Sequence, residues 1–217
     1  MLYILISFLF LLLSWPRRRS SKQPFIFIPG SSAGQERFNW TIWRLGGKKP
    51  TKLTVFPDGT YDICGQSKDF IVVGFKDNRD RLGTIEADAN LLLSLLPKLQ
   101  RSMDFKSFHA VGHSNGGLIW VRYLQLVDST GMRSLTTLAS PFDLDGFSLD
   151  PVTHDLTVYN LTGSHDLLVR PSSVEGAAQV FPNQEYKAKI FKGLLTGHSH
   201  LPQHPAVVKH LKNRMKD

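Results

Sequence analysis

The segment Gly112-His113-Ser114-Asn115-Gly116 has the Gly-x-Ser-x-Gly spacing in which a serine can act as a nucleophile. The apolar run 108–111 precedes it and predicts a strand, and residues 117–126 after it predict a buried helix. A sharp turn from strand to helix lifts a serine hydroxyl above the sheet and holds it in a strained backbone conformation. We therefore interpret this segment as a nucleophile elbow centred on Ser114. The alternative is a glycine-rich turn with a solvated serine.

Backbone groups near this turn could stabilise the negative charge of a tetrahedral intermediate. Gly112 and Gly116 lack a Cβ, so the strand and the helix can pass close to each other. One N–H donor of an oxyanion hole should come from Asn115, the residue after the nucleophile. The second donor should come from the loop after the first core strand, where Ser31 is the expected residue and Ser32 is the alternative.

A serine hydroxyl needs a neighbouring base, and the base needs a carboxylate that orients it. In sites built on such an elbow, the acid follows the serine in the chain and the histidine comes last. Asp166 follows the strand-like run 156–161 and a glycine turn, which places it at the carboxyl edge of a sheet. Asp143, Asp145 and Asp155 are alternatives, but none of them directly follows a strand and a glycine turn.

Three histidines follow the last predicted strand: His198, His200 and His204. His198 comes first, on the turn beside Gly197, and is the predicted base. His200 is the alternative base, since it also lies close to this turn. His204 is expected to start the final helix.

The elements that must hold these side chains alternate between strands and helices. Strands are predicted at 25–28, 52–56, 61–63, 70–75, 108–111, 135–139, 156–161 and 186–191, and helices at 35–45, 85–101, 117–126 and from about 204. This alternation predicts an α/β fold with a mostly parallel sheet and helices on both faces. Residues 141–155 are interpreted as a short loop-rich insert, too short to form a large lid.

The bulk composition fits one globular domain. The chain has 217 residues, a formal net charge of +8 and one cysteine, Cys64, which excludes an internal disulfide framework and a cysteine metal site. No interleaving of basic and aromatic residues suggests a nucleic-acid partner. The basic residues of the last helix are interpreted as a solvated face, and the alternative is a face that contacts anionic lipid or wall polymer.

The N-terminus differs in kind from the rest of the chain. Residues 1–16 form a hydrophobic segment, residues 17–23 a basic linker, and residues 24–217 the predicted domain. Fifteen helical residues reach about 22 Å, less than the ~30 Å of a hydrocarbon core. A charged start and a small-residue cleavage site are both missing, so we interpret the segment as an uncleaved, marginal membrane anchor, with a buried core helix as the alternative. The three arginines that follow favour the cytoplasm for the domain.

With these residues in hand, the chain resembles the α/β-hydrolase superfamily. More narrowly, it is similar to a family of uncharacterised cell-surface hydrolases from Gram-positive, lactic-acid-type bacteria. The similarity covers about residues 24–214 and rests on Phe27–Gly30, Lys52–Val55, Phe70–Asn78, Gly112–Ile119, Gly163–Asp166 and His198–Leu201. It implies an α/β-hydrolase fold, a triad of Ser114, Asp166 and His198, and an N-terminal segment that places the enzyme at the membrane or outside it.

The function predicted from these residues is that of a serine hydrolase that cleaves an ester, or an amide, through an acyl-enzyme. His198 would take the proton of Ser114, and Asp166 would orient the imidazole. This chemistry requires no metal and no cofactor, and its expected partner is a small-molecule ester or amide. The alternatives are an acyltransferase on the same fold, a peptidase, or a catalytically silent, membrane-tethered binding module.

Overall fold

A computed structural model describes residues 23–79, 82–143, 148–170 and 172–215 of the chain. The strands are β1 (Phe25–Ile28), β2 (Thr51–Val55), β3 (Tyr61–Cys64), β4 (Phe70–Phe75), β5 (Phe108–His113), β6 (Met132–Leu138), β7 (Thr157–Gly163) and β8 (Glu185–Phe191). The α-helices are α1 (Asn39–Arg44), α2 (Leu82–Met103), α3 (Asn115–Leu126), α4 (Ser173–Val180) and α5 (Pro205–Arg214). Short 3₁₀ helices occupy Gln35–Phe38 and Leu201–Gln203.

Within the described residues, eight strands form one sheet in the order β3-β2-β4-β1-β5-β6-β7-β8. Only β3 runs antiparallel to its neighbour, β2; every other pair in this sheet is parallel. The carboxyl ends of the parallel strands therefore meet at one edge, where ligands bind in open α/β sheets. The predicted mostly parallel α/β architecture is confirmed.

Two apolar cores lie on opposite faces of this sheet. The strand β1 shows the division, because Ile26 and Ile28 belong to one core whereas Phe25 and Phe27 belong to the other. Alternate residues of a strand point to opposite faces, so a fully apolar strand is buried on both sides. The first core is covered by α2, α3 and α4, and the second by α1 and α5.

The prediction and the structure differ in two segments. The helix predicted at 35–45 is a 3₁₀ turn followed by α1, and the Arg37 N–H accordingly donates to the Gly34 carbonyl three residues back. The helix α4 was not predicted, because its eight residues include Gly176, which lowers helix propensity. This glycine faces the Phe142 carbonyl, which lies 3.1 Å from where a Cβ would stand.

The predicted N-terminal membrane segment at 1–16, and the linker up to residue 22, lie outside the described residues. Among the helices of the described ranges, none combines the length and the apolar character needed to cross a bilayer.

Candidate active site

Ser114 lies at the turn between β5 and α3, at the carboxyl edge of the sheet. Its φ of 53° and ψ of −130° are unusual for a residue with a side chain, and such a conformation costs on the order of 1–3 kcal/mol. Neighbouring bonds hold it in place. The Ser114 N–H donates to the Leu138 carbonyl at 2.8 Å, and the Ser140 hydroxyl donates to the Ser114 carbonyl at 2.8 Å. The turn thus has the geometry expected of a nucleophile elbow.

The two glycines predicted to flank the elbow both sit at close backbone contacts. A Cβ on Gly112 would lie 2.4 Å from the Cα of Gly117, so its absence lets α3 approach β5. A Cβ on Gly116 would lie 2.2 Å from the Ile28 carbonyl oxygen. The absence of this Cβ therefore lets α3 approach the end of β1, not β5.

Asp166 lies three residues after β7 ends, with its side chain fully buried. Its Oδ1 accepts the N–H groups of Leu168 at 2.9 Å and Val169 at 2.8 Å. Burial alone would raise the pKa of this carboxyl, but the hydrogen bonds from His198 and from the two amides outweigh it, so the pKa lies below its usual value. Asp166 is therefore an anion at neutral pH.

His198 stands on the turn after β8, and its Nδ1 lies 2.9 Å from Asp166 Oδ2. A carboxylate can only accept, so Nδ1 carries the hydrogen and donates it. In the neutral ring the opposite nitrogen, Nε2, is then the basic one. The structure brings these two side chains together although 32 residues separate them in the chain.

Ser114 and His198 line one open cavity of about 370 Å³. Ser31, Arg37 and Asn115 line the same cavity, and Asp166 lies behind the imidazole, bonded to it. Cavities of this size accommodate small molecules. A serine and a histidine that line one open cavity are placed to contact the same bound molecule.

The other two histidines of this segment have different surroundings. His200 is exposed, and it is not among the described residues that line the cavity. The Nδ1 of His204 accepts the Ala206 N–H at 3.2 Å and so caps the start of α5, as expected.

In the described part of the chain, neither Asp143 nor Asp155 is hydrogen-bonded to His198. Asp143 is exposed and accepts a long hydrogen bond from the Ser172 hydroxyl. Asp155 is exposed and precedes β7, which places it at the amino edge of the sheet, opposite Ser114. Asp145 lies outside the described residues.

The loop after β1 and the start of α3 meet beside Ser114. The Asn115 Nδ2 donates to the Ser31 hydroxyl at 2.6 Å, which ties the two predicted oxyanion-hole residues together. The Ser32 N–H donates to the Asn78 carbonyl at 3.0 Å. Because that amide is committed to Asn78, Ser31 is the better candidate for the second donor.

His113 is a structural feature of this site that the sequence did not reveal. It is buried, its Nε2–H donates to the His198 carbonyl at 2.9 Å, and the two ring centroids lie 4.8 Å apart. Burial, followed by the proximity of His198, lowers the pKa of His113 to about 3, so the ring is neutral. A neutral His113 therefore holds the backbone of the predicted base.

We expect His113 to weaken folding as the pH falls from 6.5 towards 3. The unfolded chain gains a proton on His113 below about pH 6.5, whereas the folded chain gains it only near pH 3. The free energy of unfolding should therefore drop by up to ~1.4 kcal/mol per pH unit across this window. His113→Gln keeps an N–H donor but cannot titrate, so urea denaturation at pH 7 and pH 5 should show a smaller pH dependence in this variant.

His210 provides an internal reference for that experiment. Burial lowers its pKa to about 4, so it also weakens folding in acid, but equally in both proteins. An identical pH dependence for wild type and His113→Gln would contradict a neutral, buried His113.

Comparisons with known proteins identify the family. The profile of an α/β-hydrolase family of unknown function (DUF915) matches residues 15–148 and 148–217. The comparison with curated proteins finds no match. Among solved structures, a proposed cell surface hydrolase from Lactobacillus plantarum WCFS1 is 32% identical, with a TM-score of 0.70 over 89% of this chain and 91% of that chain.

Two more distant structures share the fold. The RedJ thioesterase of the prodiginine pathway in Streptomyces coelicolor is 12% identical, with a TM-score of 0.59 over 89% of this chain and 91% of that one. Naproxen esterase from Bacillus subtilis is 15% identical, with a TM-score of 0.56 over 90% of this chain and 84% of that one. By its family profile, its fold and its bacterial relative, this chain belongs to the DUF915 family of α/β hydrolases.

Proposed function

We propose that this protein is a serine hydrolase that cleaves carboxylic esters through an acyl-enzyme formed on Ser114. The observation that carries the proposal is the 2.9 Å hydrogen bond from His198 to the buried Asp166, made by a histidine that shares its cavity with Ser114. A base oriented by a carboxylate beside a strained serine is the arrangement that nucleophilic catalysis requires.

Acylation starts when Ser114 Oγ attacks the ester carbonyl carbon. His198 Nε2 accepts the hydroxyl proton, and the carbonyl oxygen becomes an oxyanion bound by the N–H groups of Ser31 and Asn115. The tetrahedral intermediate then collapses. The bond between the carbonyl carbon and the alcohol oxygen breaks, and His198 delivers its proton to the leaving alcohol.

Deacylation repeats these steps with water. His198 removes a proton from a water molecule, whose oxygen attacks the acyl carbon, and the second intermediate releases the carboxylic acid and restores the Ser114 hydroxyl. Asp166 stays ionised throughout and stabilises the imidazolium that forms in each half-reaction. Its lowered pKa agrees with that role.

A panel of butyryl, hexanoyl and decanoyl esters, followed by titration of the released acid, tests this proposal on the full-length protein. Hydrolysis of at least one ester to free acid is the expected result. Transfer of the acyl group to added glycerol or ethanolamine, with little free acid, would indicate an acyltransferase instead. If the protein neither cleaves an ester nor reacts with a fluorophosphonate, this result would indicate a binding module on a hydrolase scaffold.

We propose further that the domain works at the outer cell surface, held to the membrane by residues 1–16. The support is the apolar character of that segment and the description of the Lactobacillus plantarum relative as a cell surface hydrolase. The three arginines at 17–19 favour the cytoplasmic side instead, and the following experiment decides between the two sides. Protease treatment of intact cells should degrade the domain if it lies at the outer surface, whereas protection until lysis would place it inside.

A further inference from the structure

Arg37 brings a permanent positive charge to the wall of the cavity that Ser114 and His198 share. It belongs to the 3₁₀ helix Gln35–Phe38, which the buried Phe38 anchors in the second core. Its Nη1 donates to the Ser199 carbonyl at 3.0 Å. A guanidinium has five N–H donors, so this bond leaves much of its capacity for a ligand.

Among the described residues, no acid forms an ion pair with Arg37, and its sequence neighbour Glu36 is exposed. The Nε of Arg37 is buried without a hydrogen-bond partner in the same part of the chain. No described residue that lines the cavity is an aspartate or glutamate. Asp166, the acid that is bonded to His198, also accepts two backbone N–H groups and so has its oxygens occupied.

The position of Arg37 also indicates which half of an ester it would meet. It is bonded to Ser199, the residue directly after His198. A general acid must stand within hydrogen-bond reach of the oxygen that it protonates, so the leaving alcohol lies on the His198 side of the cavity. Arg37 therefore stands beside the alcohol half of the substrate.

We propose that Arg37 binds an anionic group, a carboxylate or a phosphate, on the alcohol half of the ester. Arginine suits this task because its planar N–H donors match the oxygens of either group. The inference rests on the proposed ester hydrolysis, since the same cavity serves both. It predicts that esters of anionic alcohols are the preferred substrates.

Three butyrate esters of meta-substituted phenols test the proposal: the neutral 3-(butyryloxy)benzamide, the anionic 3-(butyryloxy)benzoate and the cationic 3-(butyryloxy)-N,N,N-trimethylanilinium. Each kcat/KM is divided by the rate at which hydroxide cleaves the same ester, which removes the difference in leaving-group chemistry. The wild type should prefer the anionic ester over the neutral one by about tenfold, the effect of one charge-assisted hydrogen bond. It should also disfavour the cationic ester, and both effects should shrink in high salt.

The variant Arg37→Gln should abolish this preference, and Arg37→Lys should retain part of it, because a lysine keeps the charge without the planar fork. Arg44→Gln is the matched control. Arg44 stacks 5.4 Å from the Trp40 ring on α1 and does not line the cavity, so the variant should keep the wild-type preference.

Equal normalised kcat/KM values for the anionic and neutral esters in the wild type would overturn the proposal. So would an unchanged preference in Arg37→Gln, even with all rates reduced alike, because Arg37 would then act only by holding the turn at Ser199. Phenyl hemisuccinate carries its negative charge on the acyl half of the ester. A preference for it over 3-(butyryloxy)benzoate would overturn the placement of Arg37 beside the alcohol half. Failure of all the esters, together with no fluorophosphonate reaction, would overturn the hydrolase proposal and the assignment of Arg37 with it.

Discussion

Replacement of Ser114 by alanine should lower kcat/KM for ester hydrolysis by at least about 10⁴-fold. The variant removes the atom that we propose forms the acyl-enzyme, while the cavity, the two proposed oxyanion donors and His198 stay in place. Residual activity would come from water activated by the remaining groups. Steady-state kinetics with the best ester of the panel measure the loss, and circular dichroism at 222 nm verifies that the variant is folded.

Ser94→Ala provides the matched control for the loss of a serine hydroxyl. Ser94 is exposed on α2, where its hydroxyl donates to the Leu91 carbonyl at 3.1 Å, so its loss should leave the kinetics unchanged. Retention of more than a tenth of the activity in Ser114→Ala would show that another group is the nucleophile.

Asp166→Asn should reduce kcat by about 10⁴-fold, for a reason that follows from its hydrogen bonds. Two backbone N–H groups, from Leu168 and Val169, point at Oδ1. An asparagine must place its carbonyl oxygen there, because an NH₂ group cannot accept them. Its NH₂ then faces His198 Nδ1, which must accept, so the ring hydrogen moves to Nε2. A His198 in this tautomer cannot take the proton of Ser114.

Two histidine variants accompany this experiment. His198→Ala should lower kcat at least as much as Asp166→Asn, because we propose that the two residues act as a unit, so that their effects do not add. His200→Ala should stay close to wild type, since this ring is exposed and lies outside the cavity lining. A severe loss in His200→Ala with an active His198→Ala would transfer the role of base to His200.

The fold was predictable because its strands and helices each have a pattern of apolar residues that can be recognised within a short stretch of sequence. Fully apolar strands such as 25–28 and 70–75 alternate along the chain with segments of helical periodicity. A parallel sheet that is buried on both faces needs such strands and the helices that cover them. The helix α4 escaped prediction because eight residues around Gly176 carry little helical signal. Its formation depends on packing against the first core, which no local pattern encodes.

The candidate site was predictable only where short motifs describe it. The spacing around Ser114 and the glycine turn before Asp166 are visible in the sequence, and the chain order of acid and base favours His198. No sequence motif indicates the contacts that form between segments far apart in the chain. The His113 bond to His198 spans 85 residues, and the Arg37 bond to Ser199 spans 162 residues.

The central claim is that Ser114 gains its reactivity from His198 and Asp166, and reaction with a fluorophosphonate tests it most directly. After incubation, intact-mass spectrometry counts the adducts and peptide mapping locates them. We expect one adduct per chain, on Ser114, that forms far more slowly in Asp166→Asn and is lost in Ser114→Ala. An adduct on another residue, or one that persists in Ser114→Ala, would contradict this account.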